Sequence, residues 1–246
     1  MNFLSDPRTE NWLGVSNPLV IFSILTLYLY FCKSLGPRLM QNRKPFELKT
    51  VLKLYNLCQV CYNLFLVHEQ KLSQLTAASW YYYAGKISEL LDTVLFVLRK
   101  KYNQVSFLHV YHHTVMSIAV WCGVKYYAGG HLILMAWLNC VVHVIMYTYY
   151  LISAFGPKYQ KYVWWKRHLT KLQLFCIVFV HNFAVIFYKC DYPKIFNVAC
   201  CANTLAFIYM FGIFYTENYK KTDSQITAKD NISQYNFRRK ISEKTQ

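Results

Sequence analysis

The chain reads as an all-α, polytopic membrane protein with seven transmembrane helices, and three observations lead there. Of 246 residues, 55% are hydrophobic and only 15% charged, a balance too apolar for a soluble domain of this length. Seven apolar runs approach or reach the roughly 17 to 25 residues that cross a bilayer core. The connections between those runs alternate between strongly basic and near-neutral along the whole chain. Because the runs are continuously apolar and do not alternate, they select helices over a β-barrel.

Taken in order, the N-terminal residues carry Asp6, Arg8 and Glu10 and lack a short apolar region followed by a small-residue cleavage site. The first span, Pro18 to Cys32, is therefore expected to act as the signal anchor. A basic connection follows, with Lys33, Arg38, Arg43, Lys44 and Lys49, and leads to the second span, Val51 to Val67. The near-neutral segment from His68 to Ala78 precedes the third span, Ser79 to Leu98, and Arg99, Lys100 and Lys101 separate it from the fourth, Ser106 to Val124. The turn at Lys125 to Gly130 carries little net charge, and the fifth span runs from His131 to Phe155. Lys158, Lys161, Lys166, Arg167 and Lys171 make the next connection basic, before a sixth span at Leu169 to Tyr188, the quiet segment Lys189 to Lys194 and a seventh span at Ile195 to Tyr215. Basic ends face the cytosol, so the alternation puts the N-terminus in the lumen and the C-terminus in the cytosol. One membrane domain, residues 1–216, is expected, followed by a basic, disordered cytosolic tail, residues 217–246. Asn231-Ile232-Ser233 in that tail matches a glycosylation acceptor, but a cytosolic position leaves it unmodified.

A net charge of +16, from 27 basic and 11 acidic residues, raises the question of nucleic acid. There is no basic stripe on a polar helix and no zinc or stacking module, so no nucleic-acid partner is expected. In a membrane protein the same cations anchor cytosolic loops and attract polyanions to the surface. Of nine cysteines, Cys58 and Cys61 share a CxxC spacing, for which helix packing is the favoured reading over redox chemistry or metal.

Ionisable groups inside spans are costly and so mark candidate functional positions. On the third span Lys86, Glu89 and Asp92 recur every three residues and cover one helix face about 120° wide. They form either an ion-pair network that positions helices or a surface that touches substrate. On the fourth span His109, His112 and His113 fall within about 100° of one another and can point into one cavity. Three histidines in five positions are hard to satisfy as core residues, which makes this the densest chemical signal in the chain. His143, Met146, Tyr147 and Tyr150 share a face of the fifth span. Thr170 and Gln173 open the sixth, where His181 either packs in the core or lines the cavity.

KxxExxDT at Lys86, Glu89, Asp92 and Thr93, the run from His109 to His113, and HxxMYxYY at His143, Met146, Tyr147, Tyr149 and Tyr150 resemble the signatures of the very-long-chain fatty acid elongase family. The resemblance extends to Asp6-Pro7-Arg8 with Asn11-Trp12, to Asn42-Arg43-Lys44-Pro45-Phe46, to Tyr55-Asn56, and to Phe214-Tyr215 with Tyr219. It covers nearly the whole chain before the tail. The family commonly has TxxQxxQ on the sixth span; Thr170 and Gln173 match, and Cys176 stands where the second Gln is expected.

The resemblance implies an endoplasmic reticulum enzyme whose helices enclose an acyl-binding cavity. It would condense a long-chain acyl-CoA with the co-substrate malonyl-CoA, giving 3-oxoacyl-CoA, CO2 and CoA, with no bound cofactor or metal. His112 would attack the thioester to form an acyl-imidazole, His143 would position substrate or move protons, and His109 and His113 would orient the reacting groups. Lys86, Glu89, Asp92, Thr93, Met146, Tyr147, Tyr150, Thr170, Gln173 and His181 would bind substrate. The implied partners are the lipid bilayer, the reductases and dehydratase of the elongation cycle, and a second copy in a homo-oligomer. The rival readings are a di-iron lipid desaturase or hydroxylase and a seven-span transporter or receptor. The desaturase needs more ligands than one HxxHH box and five isolated histidines supply. The transporter would more often show inverted repeats and broken helices.

Overall fold

Asn17 starts the first membrane helix: its side chain accepts from the Leu19 amide at 2.9 Å, and Pro18 takes the first turn, where a missing N–H is no loss. The computed structural model describes residues 5–72, 75–128, 131–156, 158–159, 183–184 and 194–216, and the regular structure among them is all helical. Contacts divide the chain into two units, Met1–Trp164 and Trp165–Gln246.

In the first unit, α1 (Pro18–Tyr30) continues through one π-type turn, Phe31–Leu35, into α2 (Gly36–Met40). The result is a 23-residue apolar span, Pro18–Met40, that runs past the expected end at Cys32. Lys33 and Arg38, expected in the connection, ride on this helix with exposed side chains that can reach toward headgroups. Gly36 permits the close pass of α2 over the helix that carries Val97. A Cβ there would lie 2.6 Å from Val97 Cγ1 and 2.8 Å from the Phe31 carbonyl oxygen.

The second span is α3 (Lys49–Leu72), whose main partner is α7 (His131–Ala154). Tyr55 meets Tyr147 edge-on at 6.2 Å, while Leu66 shares a core cluster with Ala136 and Cys140, so the two helices run antiparallel. The expected third span is divided into α4 (Leu75–Ser88) and α5 (Leu90–Leu98) at Glu89. Ser88 Oγ donates to the Gly85 carbonyl at 2.7 Å, competing for the acceptor that the Glu89 amide also uses, and Asp92 N then bonds only three residues back to the Glu89 carbonyl.

Ser106 caps α6 (Phe107–Tyr127) by accepting from the His109 amide at 3.2 Å. Helix α6 packs on α4 and α1, around a core of Ile21, Leu25, Tyr28, Tyr83, Leu90, Val110, Trp121 and Val124. The N-terminal segment straps one end of this packing. Asp6 N donates to the Lys125 carbonyl at 2.9 Å, an Arg8 guanidinium nitrogen to Ala128 O at 2.8 Å, and Tyr83 Oη to Gly14 O at 3.2 Å. Gly14 adopts φ +76°, a conformation that suits a residue without Cβ.

Among the described residues three helices are long and apolar enough to cross a membrane: Pro18–Met40, Lys49–Glu69 and Ile133–Ala154. They match the first, second and fifth of the seven expected spans. The third is interrupted at Glu89, and the three histidines of the 21-residue α6 lower its hydropathy. The second unit contains α8 (Lys194–Tyr215), with a shorter apolar stretch at Val198–Phe214. Apart from residues 183–184, the expected sixth span lies outside the described residues, as does the tail from 217. Leu19, Leu27, Leu54, Leu57, Leu64 and Leu205 are exposed on the helices, the outward apolar surface that lipid stabilises and water does not. Cys58 and Cys61 are free and exposed on α3, so neither packs within the core as the sequence suggested.

Candidate active site

A helix that carries histidines one turn apart places their rings in a column, and α6 does so. The His109 and His113 rings are 4.4 Å apart, centroid to centroid, and His112 meets His113 edge-on at 5.5 Å. His113 is buried, while His109 and His112 are half-buried. The His109 ring also lies against Phe96 at 5.4 Å, and its Nε2 is 3.0 Å from Thr93 Oγ1 on α5. Thr93 is fully buried and makes a second contact, 2.8 Å, with Tyr28 Oη of α1.

Glu89, between α4 and α5, carries a buried carboxylate into the first unit. Both Glu89 oxygens accept from Lys86 Nζ, at 2.9 and 2.8 Å, in a pair that is almost wholly buried. The same carboxylate faces α7, where His143 Nδ1 is 2.9 Å from Oε1. The approach is too oblique for an aligned hydrogen bond. The Glu89 carboxylate packs directly against the His143 ring. A buried carboxylate is costly unless its charge and lone pairs are matched; Lys86 matches the charge of Glu89 and donates to both of its oxygens.

One turn further along each helix, Tyr147 Oη donates to Asp92 Oδ2 at 2.6 Å. Tyr147 is fully buried, with its ring 5.7 Å from His143 and 6.0 Å from Tyr150. Met146 is half-buried on the same helix. Thus Lys86, Glu89, Asp92, Thr93, His143, Tyr147 and the α6 histidines are drawn together, with Tyr150 at the margin through Tyr147. Thr170, Gln173 and His181 lie outside the described residues, and so does Cys176. Among the described residues, no group of three or more His, Cys, Asp and Glu side chains converges as a metal ion would need.

The sequence reading missed how far this polar centre extends. Gln59 donates to Tyr55 Oη and to Ser88 Oγ, each at 3.1 Å, and Asn63 Nδ2 donates to the Gln59 carbonyl at 2.9 Å. Tyr82 Oη donates to Asn139 Oδ1 at 3.1 Å, and the Lys86 ammonium sits 5.1 Å from the Tyr82 ring centre. Asn56, Gln59 and Asn63 are all buried on the inner face of α3. Their three- and four-residue spacing within an apolar run was the sequence signal that could have found them. Tyr28 had no such signal, since tyrosines are common throughout the chain.

Chemically, the centre offers imidazoles for nucleophilic attack or proton transfer, with a compensated carboxylate turned toward one of them. The chain matches the family model described as ELO, the GNS1/SUR4 family, over residues 13–71 and 67–227. It is 40% identical to very long chain fatty acid elongase 7 of Drosophila melanogaster, covering 93% of this chain and 77% of that protein. It is 42% identical to very long chain fatty acid elongase 4 of Homo sapiens, covering 94% and 82% respectively. A third relative, very long chain fatty acid elongase 7 of Rattus norvegicus, is 43% identical over 88% of this chain and 86% of its own length. With the family model spanning most of the chain and relatives above 40% identity nearly end to end, this protein belongs to the ELO (GNS1/SUR4) family.

Proposed function

We propose that this protein is the condensing enzyme of fatty acid elongation, joining a long-chain acyl-CoA to malonyl-CoA to give 3-oxoacyl-CoA, CO2 and CoA. The observation that carries the reading is the column of α6 histidines in the same unit as a His143 that faces a buried Glu89–Lys86 pair. His112 attacks the acyl thioester carbonyl, the carbon–sulfur bond breaks, and CoA leaves with the electron pair. The product is an acyl-imidazole. Malonyl-CoA then loses CO2, and the electrons of the broken carbon–carbon bond form an enolate. Its carbon attacks the acyl carbonyl and expels His112, which closes the cycle.

In this scheme His143 positions the second substrate or moves the proton, with Glu89 holding its ring, while His109 and His113 orient the reacting groups and stabilise developing negative charge. Lys86, Glu89, Asp92, Thr93, Met146, Tyr147 and Tyr150 bind the substrates. The acyl chain lies among apolar helices, and CoA phosphates pair with Lys and Arg of the cytosolic connections. Seven spans in the endoplasmic reticulum membrane, with luminal N-terminus and cytosolic C-terminus, give both substrates that access. The charge alternation along the chain supports this topology. The reductases and dehydratase that process a 3-oxoacyl-CoA are the natural partners, and a homo-oligomer is compatible with the exposed apolar helix faces.

The test is incorporation of labelled malonyl-CoA into a panel of acyl-CoAs by the purified protein in nanodiscs. Intact-mass analysis accompanies it, with acyl-CoA supplied alone. Wild-type protein should elongate and carry one acyl group, and His112→Ala should do neither while remaining folded. Wild-type turnover in His112→Ala refutes the assignment, and elongation with no adduct replaces the two-stage scheme with a single ternary step.

A further inference from the structure

Helix α1 carries mostly large apolar side chains toward the outside, with Leu19, Phe22, Leu27 and Tyr30 all exposed. One polar side chain of this helix points the other way. Tyr28 is 6% exposed, and its hydroxyl is 2.8 Å from Thr93 Oγ1, which in turn is 3.0 Å from His109 Nε2. Three groups from α1, α5 and α6 therefore form one line of hydrogen bonds that ends on a histidine of the reaction centre.

The geometry leaves the donor of each link open, and the protons available allow one consistent sense in which the phenol starts the line. A threonine hydroxyl has one proton and two lone pairs, a phenol is a better donor than acceptor, and a histidine nitrogen does either according to tautomer. With Tyr28 donating to Thr93, the Thr93 proton has one partner left, His109 Nε2. That nitrogen must then accept, and the ring proton sits on Nδ1.

We propose that Tyr28 is a positioning residue which, through Thr93, fixes His109 in the Nδ1–H tautomer and holds its ring against His113. Remove the phenol proton and Thr93 becomes free to turn its hydroxyl, so that His109 Nε2 can donate as well as accept. The ring then populates both tautomers and loses a fixed orientation relative to its neighbour 4.4 Å away. A helix outside the histidine-bearing pair thereby decides which nitrogen of His109 faces the reaction. The effect on rate rests on the proposed role of the histidines; the tautomer itself does not.

Magic-angle-spinning NMR of nanodisc-embedded protein labelled with 15N-histidine reads the tautomer directly, with His109 assigned by its absence in His109→Gln. The wild type should show a bare Nε2 and a protonated Nδ1. Tyr28→Phe should show mixed tautomers, with kcat for elongation roughly five- to tenfold lower and the acyl-CoA KM within about twofold of wild type. Thr93→Ser keeps a hydroxyl in place and should keep the wild-type tautomer. An unchanged His109 spectrum in Tyr28→Phe overturns the proposal. A changed spectrum with unchanged kcat supports the positioning and removes His109 from the reaction. Should Tyr28→Phe fail to fold, fluorotyrosines of increasing acidity at position 28 should move the Nε2 resonance stepwise, and a flat series overturns the proposal equally.

Discussion

Replacing Glu89 by Gln changes almost no volume and removes one negative charge from a place where Lys86 is 2% exposed. The ammonium then keeps its burial, has one amide oxygen in place of the two carboxylate oxygens at 2.9 and 2.8 Å, and loses the charge that matched it. Removing one partner of a buried ion pair costs about 3–5 kcal/mol, because the remaining charge is left uncompensated. At about 2–4 °C per kcal/mol for a chain of this size, Glu89→Gln should melt on the order of 10 °C below wild type. The pair Lys86→Met with Glu89→Gln removes both charges, and replacing a buried pair by neutral groups is often neutral or stabilising. Thermal stability should therefore return to within about 1 kcal/mol of wild type in the double variant. Activity should not return, because His143 Nδ1 has then lost the carboxylate 2.9 Å away. The assays are thermal unfolding by tryptophan fluorescence in nanodiscs and turnover of labelled malonyl-CoA, applied to both single variants and the double. A Glu89→Gln that melts with wild type shows that the ammonium finds another partner and refutes the pairing. A double variant that recovers activity along with stability shows that Glu89 serves only to neutralise Lys86.

Tyr147→Phe deletes the 2.6 Å bond to Asp92 and leaves a buried carboxylate short of a donor, for a loss of about 1.5–3 kcal/mol in the same melting assay. Gly36→Ala forces a methyl into the space held by Val97 Cγ1 and the Phe31 carbonyl, and should cost about 1–3 kcal/mol, partly recovered by Val97→Ala. The Arg8 guanidinium hydrogen-bonded to Asp6 holds its carboxyl below the ordinary range. A carboxyl depressed in the folded state contributes stability above its ordinary value, and that contribution is lost as pH falls through the folded value. Limited proteolysis of the N-terminal strap should accordingly quicken with acidification below about pH 4 in wild type, and be faster but flatter with pH in Asp6→Asn. Equal pH profiles for the two would remove Asp6 from the strap.

The apolar runs of the first, second and fifth spans were legible because a bilayer imposes a length rule on each segment separately. The histidine column of α6 was legible for the same reason: a helical period is local, and His109, His112 and His113 needed nothing beyond it to converge. For Lys86, Glu89 and Asp92 a straight helix was assumed. The helix keeps Lys86 and Glu89 paired at their three-residue spacing, while across the gap Glu89 meets His143 and Asp92 takes the Tyr147 hydroxyl. No spacing rule contains that division, since it depends on which side chains α7 presents across the gap.

Gln59 and Asn63 were hidden among apolar neighbours, and Tyr28 among 22 tyrosines, until packing showed which faces were inward. By itself the sequence determined that the chain is helical, apolar and built around clustered histidines, because these follow from periodicity and composition. Which groups pair within the centre, and that α1 reaches His109 through Tyr28 and Thr93, was decided by tertiary structure alone. Hydrogen bonds and ion pairs between helices act over about 3 Å, and only the packed chain sets distances that short between residues 65 and 55 positions apart.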